Sequence, residues 1–207
     1  MGIELLFPTL VYRTPLRPQG TRGGALNARL LKECQQLRAD DRAGRRWSAR
    51  HYRNGYTSYG SAHRMQRVSP TFALLARQLD RHIARFARAL QFALGAHALV
   101  MTDCWVNIMG GGAVHGAHLH PHSTISGVYY VAVPPGAPGL KLEDPRLACF
   151  MAAPPRARTA QRRNRAWVTI RARSGQLVLF ESWLRHEVPA NHDARERVSI
   201  SFNYNWF

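Results

Sequence analysis

The run from Arg197 to Trp206, Arg-Val-Ser-Ile-Ser-Phe-Asn-Tyr-Asn-Trp, limits the fold more than any other stretch. Successive side chains on a strand point to opposite faces. This sequence therefore sets Val198, Ile200, Phe202 and Tyr204 on one face and Arg197, Ser199, Ser201 and Asn203 on the other. A polar face turned into a protein is costly unless it binds something. An arginine with a serine two residues on can hold a carboxylate, through the guanidinium fork and a hydroxyl. Strand-like segments at 99–109, 125–133, 139–143, 166–172 and 176–181 precede it. Short strands after N-terminal helices predict an α+β, mainly β chain: a double-stranded sandwich or barrel with helices against one sheet.

The N-terminal part, 1–97, reads as helical support. Residues 1–22 are proline-bearing and extended. Asn27 is placed to cap a helix over 27–39, with Leu26 stapled to Leu31. The charged segment 40–53 reads as a loop, and 52–61, with its tyrosines and turn formers, as a loop near the mouth of a site. Ser69 and Pro70 open the clearest helix, with apolar residues at Phe72, Leu75, Leu79, Ile83, Phe86, Leu90 and Leu94 and Gly95 as its stop. Arg77, Arg81, Arg85 and Arg88 form its wet face, and His82 beside the stripe is structural. The β part, 98–207, carries a basic insertion at 145–165 that reads as either a lid or a mobile loop, and as a candidate selector of substrate. The whole, 1–207, is expected to be one domain.

Four of the ten histidines lie close together, at 115, 118, 120 and 122. On a strand His118 and His120 share a face, which makes half of a transition-metal site. His186, in Ser182-Trp-Leu-Arg-His-Glu-Val-Pro, is the distant third ligand. His120 with His122 is a second-ranked pair, since Pro121 disturbs regular strand geometry between them. A carboxylate from Glu143 or Asp144 is a further alternative ligand. His115, His122 and His192 are candidates for the surroundings of the metal or for the substrate side.

The formal net charge is +17, which raises the question of a polyanionic partner. The excess is scattered arginine without the aromatic-interleaved pattern of a nucleic-acid module, so nucleic acid is the less favoured partner. An acidic small molecule or a peptide fits as well, and the sequence leaves homo-oligomerisation open. No apolar run has membrane-spanning length, and the N-terminus lacks a secretion signal. Cys34, Cys104 and Cys149, distant and odd in number, are expected as free thiols in the cytoplasm.

The pattern His-x-His, a later His before Glu-Val-Pro, and Arg-x-Ser on the final strand resembles the iron(II)- and 2-oxoglutarate-dependent oxygenases of the double-stranded β-helix (jelly-roll) fold. Leu6-Phe-Pro-Thr, Gly55-Tyr-Thr-Ser-Tyr-Gly-Ser, Trp105-Val-Asn, His118-Leu-His-Pro-His-Ser, Ser126-Gly-Val-Tyr-Tyr-Val, Leu142-Glu-Asp-Pro-Arg and Leu179-Phe-Glu-Ser-Trp-Leu-Arg-His look like the bacterial and phage 2OG-Fe(II) oxygenases. These landmarks run over nearly the whole chain. The resemblance implies catalytic residues His118, His120, His186 and Arg197, with 2-oxoglutarate chelating Fe(II) and its distal carboxylate on Arg197. Ser199 would assist, and Asn107 could donate to the cosubstrate. The implied reaction is a dioxygenase hydroxylation releasing succinate and CO2. One departure stands out: the superfamily has Asp or Glu where this chain has His120, leaving the site one negative charge short.

Two rivals follow from the same residues. A cupin-type metalloenzyme shares Gly112 and the His118-Leu-His120 opening, but lacks the next glutamate and gives Arg197 no task. A basic nucleic-acid-binding module leaves the histidines and Arg197 unexplained together. Trp183, Tyr129, Tyr130 and the tyrosines at 56 and 59 are candidates for lining the pocket.

Overall fold

The computed structural model describes residues 2–16 and 23–207, apart from the side chains of 23, 24 and 149. Residues 17–22 of the expected lead-in and the thiol of Cys149 thus lie outside the described residues. Among these, ten strands form two antiparallel sheets. The larger has the order β1-β8-β5-β10-β3-β2, from Val11–Pro15, Gln176–Glu181, Ile125–Ala132, Arg197–Trp206, Leu99–Met109 and Gly55–Thr57. The smaller has the order β4-β9-β6-β7, from His115–His118, His186–Val188, Leu140–Glu143 and Trp167–Ile170.

Alternation on the central strands assigns the two faces of the larger sheet. Val198, Ile200, Phe202 and Tyr204 of β10 join Cys104, Val106 and Ile108 of β3 and Leu177 and Leu179 of β8 in one apolar core. That core is completed by Leu26, Leu30 and Cys34 of α1 (Gly23–Asp40) and by Phe72, Leu75, Leu79, Ile83 and Phe86 of α4 (Pro70–Ala89), which the one-turn α3 (Met65–Val68) precedes. The opposite face supplies Met109, Val128, Tyr130, Val178 and Phe180, which meet Leu140, Leu142, Ile170 and Val188 of the smaller sheet. Helices, large sheet and small sheet make three layers, with the apolar stripe of α4 buried as its spacing predicted.

Several local expectations are corrected. Asn27 is not a cap; it lies inside α1, where its amide donates to Val131 O (2.7 Å) and accepts from Tyr129 OH (3.0 Å). Leu26 and Leu31 therefore do not form a staple. The supposed loop at 40–53 contains α2 (Arg42–His51), capped by Asp41, whose carboxylate accepts from Gly44 N at 2.8 Å. Its buried residues are Gly44 and Ser48, so it has no apolar stripe for a periodicity argument to detect. Ser69 does cap α4, accepting from Thr71 N and Phe72 N. That helix stops at Ala89 with Leu90 as C-cap, and Gly95 (φ +58°) belongs to the connection beyond. His82 is structural, taking a 2.8 Å hydrogen bond with Tyr12 OH.

The insertion at 145–165 holds two short 3-10 turns, at Leu147–Phe150 and Arg162–Asn164. Pro145, Arg146 and 162–165 line a groove shared with the N-terminal strap, including Leu6, Phe7 and Arg13. Among the described residues, none of 145–165 lines the cavity that holds the histidines. The lid or selector expected of this segment is not seen there. Cys34 and Cys104 are free and buried, as expected.

Candidate metal centre

The cavity between the two sheets measures about 800 Å³. The short strand β4 ends at His118 and pairs with β9, setting His118 directly opposite His186. His120 lies two residues past the end of β4, outside any strand, and is tied down by its own N–H to Ser182 O (3.0 Å). The regular-strand argument for a shared face therefore holds only as far as 118, and the tether to Ser182 brings in His120. The loop that feeds β4 is clamped by Asn191, which donates to Met109 O (3.0 Å) and Arg195 O (3.1 Å), while its backbone pairs with Gly112 and Ala113. No sequence signal marked Asn191.

His118, His120 and His186 each present a ligand nitrogen, and these nitrogens lie within 4.8 Å of one another. Their Nδ1 atoms are committed elsewhere: His118 to Gly116 O (2.7 Å), His186 to Leu184 O (2.9 Å) and His120 to Asn203 Oδ1 (2.7 Å). A carbonyl oxygen can only accept, so each Nδ1 carries the proton and each Nε2 keeps its lone pair for a metal. Burial pushes His186 down to about 3, with the neighbouring histidines adding to the shift. Burial also lowers His120, against the pull of its bond to Asn203. Both are neutral near pH 7, the state a metal ligand needs.

The other expected ligands are elsewhere. Asp144 is paired with Arg146 at 2.7 Å, and Glu143 with Arg185 at 3.0 Å. Neither belongs to the histidine cluster. His122 lines the cavity but is exposed, at φ +64°, and stays outside the cluster. His192 is exposed and does not line the cavity. His115 lines the cavity, stacked on Tyr52 with ring centroids 4.4 Å apart. Burial, then His118 and Arg197, lower it to about 3.

Arg197 opens into the same cavity from the first residue of β10 and is 2 % exposed. Its NH1 reaches Met109 Sδ (3.2 Å) and Ser199 Oγ (3.4 Å), and its guanidinium lies 4.9 Å from the centre of the Tyr130 ring. No carboxylate pairs with it among the described residues. Its Nε, Tyr130 OH, Tyr52 OH and Asn107 Oδ1 are all buried without a hydrogen-bond partner. Asn107 spends its Nδ2 on Ser201 (3.0 Å). The three donors in this set, Arg197 Nε and the two tyrosine hydroxyls, fit a carboxylate ligand, whereas Asn107 Oδ1 can only accept. Tyr52 was missed because its stretch read as a loop; the other three lie on strands whose polar positions face inward.

Trp47, Tyr59, Arg64 and Trp105 line the cavity, the first three exposed and Trp105 buried. Tyr59 packs edge-on against Trp105 at 4.9 Å. Of the expected wall residues only Tyr59 lines the cavity: Tyr129 and Tyr56 face the helical core, Trp183 does not line it, and Tyr130 lies in the core behind Arg197.

Residues 103–203 match the family model described as "Putative 2OG-Fe(II) oxygenase". That segment belongs to the 2OG-Fe(II) oxygenase family. It is thus a member of an oxidoreductase enzyme family. No curated protein matches the oxygenase. Among solved structures it is similar to a prolyl-4-hydroxylase from Pseudomonas putida, with TM-score 0.59 and 16% identity, over 95% of this chain and 92% of that one. HygX from Streptomyces hygroscopicus, solved with nickel and 2-oxoglutarate bound, gives 0.62 and 14%, over 95% and 83%. A prolyl hydroxylase from Trichoplax adhaerens, solved with a hypoxia inducible factor peptide fragment, gives 0.61 and 17%, over 94% and 82%. At these identities the likeness carries the fold, the double-stranded β-helix. Among the described residues of the oxygenase, no helix is long and apolar enough to cross a membrane.

Proposed function

We propose that the protein hydroxylates an organic substrate, using Fe(II) held by Nε2 of His118, His120 and His186 and 2-oxoglutarate held by Arg197. The observation that carries this reading is the joint presence, in one cavity, of a three-nitrogen cluster and a buried guanidinium with no carboxylate partner. Imidazole suits Fe(II), and three protein ligands leave open positions for a chelating keto acid and for oxygen. When bound, the metal and keto acid supply oxygen activation: one oxygen atom enters a substrate C–H bond, the other enters succinate, and CO2 leaves.

The chain's own contribution is placement. Arg197 and Ser199 Oγ receive the distal carboxylate, with Tyr130 OH and Tyr52 OH able to donate to the same group. Asn107 faces the cosubstrate from β3. Burial of these groups excludes water, which strengthens each polar contact. Neutral His115, stacked on Tyr52, walls the site without adding charge. The substrate enters past Trp47, Tyr59 and Arg64, an aromatic and singly cationic rim. It is a small molecule or a peptide, the kinds of partner seen with HygX from Streptomyces hygroscopicus in complex with hygromycin B and with the Trichoplax prolyl hydroxylase. The basic surface steers acidic molecules toward the protein. We place the reaction in a single unit built from 1–97 as helical support and 98–207 as core.

The test is anaerobic titration with Fe(II) and then 2-oxoglutarate. His118→Ala and His186→Ala should lose stoichiometric metal. Arg197→Ala should keep metal but bind 2-oxoglutarate roughly 30- to 1,000-fold more weakly, the usual cost of unpairing a buried charge. Full metal occupancy in both histidine variants would overturn the assignment. Unchanged keto-acid affinity in Arg197→Ala would remove Arg197 from the carboxylate site, and no keto-acid binding to the metal-loaded parent would point to a metalloenzyme that needs none.

A further inference from the structure

Ser126, Asn203 and Asp103 form a polar row across β5, β10 and β3. Asn203 is the cross-strand partner of Ser126 on one side and of Asp103 on the other. Its Oδ1 accepts from His120 Nδ1 (2.7 Å) and from Ser126 Oγ (2.8 Å), while its Nδ2 points to Asp103 Oδ2 at 3.5 Å. Ser126 Oγ also lies 2.8 Å from His120 Nδ1, and with Oδ1 toward the imidazole the Asn203 amide offers its donor to the carboxylate, so each group meets a complementary partner. Asp103 also accepts from Thr102 Oγ1 at 2.8 Å. In a chain with 29 lysines and arginines, Asp103 forms no ion pair among the described residues. It is the only carboxylate among the described residues that line the cavity.

Three neutral imidazoles leave a bound divalent cation with its full charge. A carboxylate one amide away from a ligand compensates part of that charge. It polarises the intervening amide so that Oδ1 becomes a better acceptor, and the imidazole a better donor to metal. We infer that Asp103, acting through the Asn203 amide, supplies to the His120 side of the centre the negative charge that no directly ligating residue provides. Asp103 is a positioning residue on this reading, and the inference rests on the three-histidine metal site proposed above.

The experiment measures Co(II) and anaerobic Fe(II) affinity by chelator competition on the full chain, with thermal melts of each metal-free variant. Asp103→Asn should weaken metal binding about 10- to 100-fold and shift the visible Co(II) bands, while leaving the metal-free melt in place. The swap Asp103→Asn with Asn203→Asp moves the charge one group inward and should restore affinity to the parent's level or better. A purely structural role for Asp103 would not give that rescue. Affinity of Asp103→Asn within two-fold of the parent, or failure of the folded swap to recover it, overturns the inference. His118→Ala in the same assay separates the two levels. If it loses metal while Asp103→Asn does not, only the relay falls; if it binds as the parent does, the metal site falls and the relay with it.

Discussion

Burying a guanidinium without a counterion costs on the order of several kcal/mol, and Arg197 bears that cost in the free protein. Its Nε and the hydroxyls of Tyr52 and Tyr130 add further unsatisfied groups around it. Each of these would gain a partner when a dicarboxylate enters, so their cost without ligand becomes preference for the bound state. Tyr130→Phe tests this at the scale of one oxygen atom. It removes a buried hydroxyl with no hydrogen-bond partner, so the ligand-free melt should stay level or rise slightly. Binding of 2-oxoglutarate, followed by calorimetry, should weaken roughly 3- to 10-fold, the worth of one hydrogen bond. A clear fall in ligand-free stability would mean that the hydroxyl serves the fold instead.

The short β4–β9 ladder carries the site's pH response. His115 and His186 face Val188 and His118 across it, and burial lowers both to about 3 from an ordinary 6.5. The unfolded chain takes up these protons below about 6.5, whereas the folded chain resists until about 3. Their contribution to stability is therefore complete above pH 6.5 and is lost as pH falls toward 3. Metal-free protein should show a falling melting temperature between pH 6.5 and 4. In His115→Phe, which keeps a ring against Tyr52, the slope should be shallower. An unchanged slope would remove His115 from the cause.

At the same scale, β10 and α4 were legible because their apolar residues recur at the period of a strand or a helix. α2 was not, because its inward face is Gly44 and Ser48 rather than an apolar stripe, and its start depends on Asp41 meeting Tyr56 and Ser61 from other segments. β4 and β9 are too short to carry a period. Asn27 looked like a cap by type, yet its partners lie on β5, more than a hundred residues away.

Across the whole molecule, the charge of +17 sets a repulsive background that the five ion pairs among the described residues only partly relieve. Exposed pairs of this kind each contribute about 0–1 kcal/mol, whereas self-repulsion grows with the total charge and is screened by salt. Raising NaCl from roughly 50 to 500 mM, across which the Debye length shrinks from above to well below ~10 Å, should therefore raise the melting temperature. A fall would show that the ion pairs outweigh the repulsion. The sequence alone determined what is local or periodic: a mainly β chain with helical support, the polar inner face of β10, and the residue types able to bind metal and carboxylate. Only the tertiary structure decided which of them meet. It drew His186 to His118 and His120, left Asp144 with Arg146, removed the insertion from the cavity, and set Asp103 behind Asn203. Those outcomes depend on strand register and on hydrogen bonds between distant segments, and neither leaves a repeating mark in the chain.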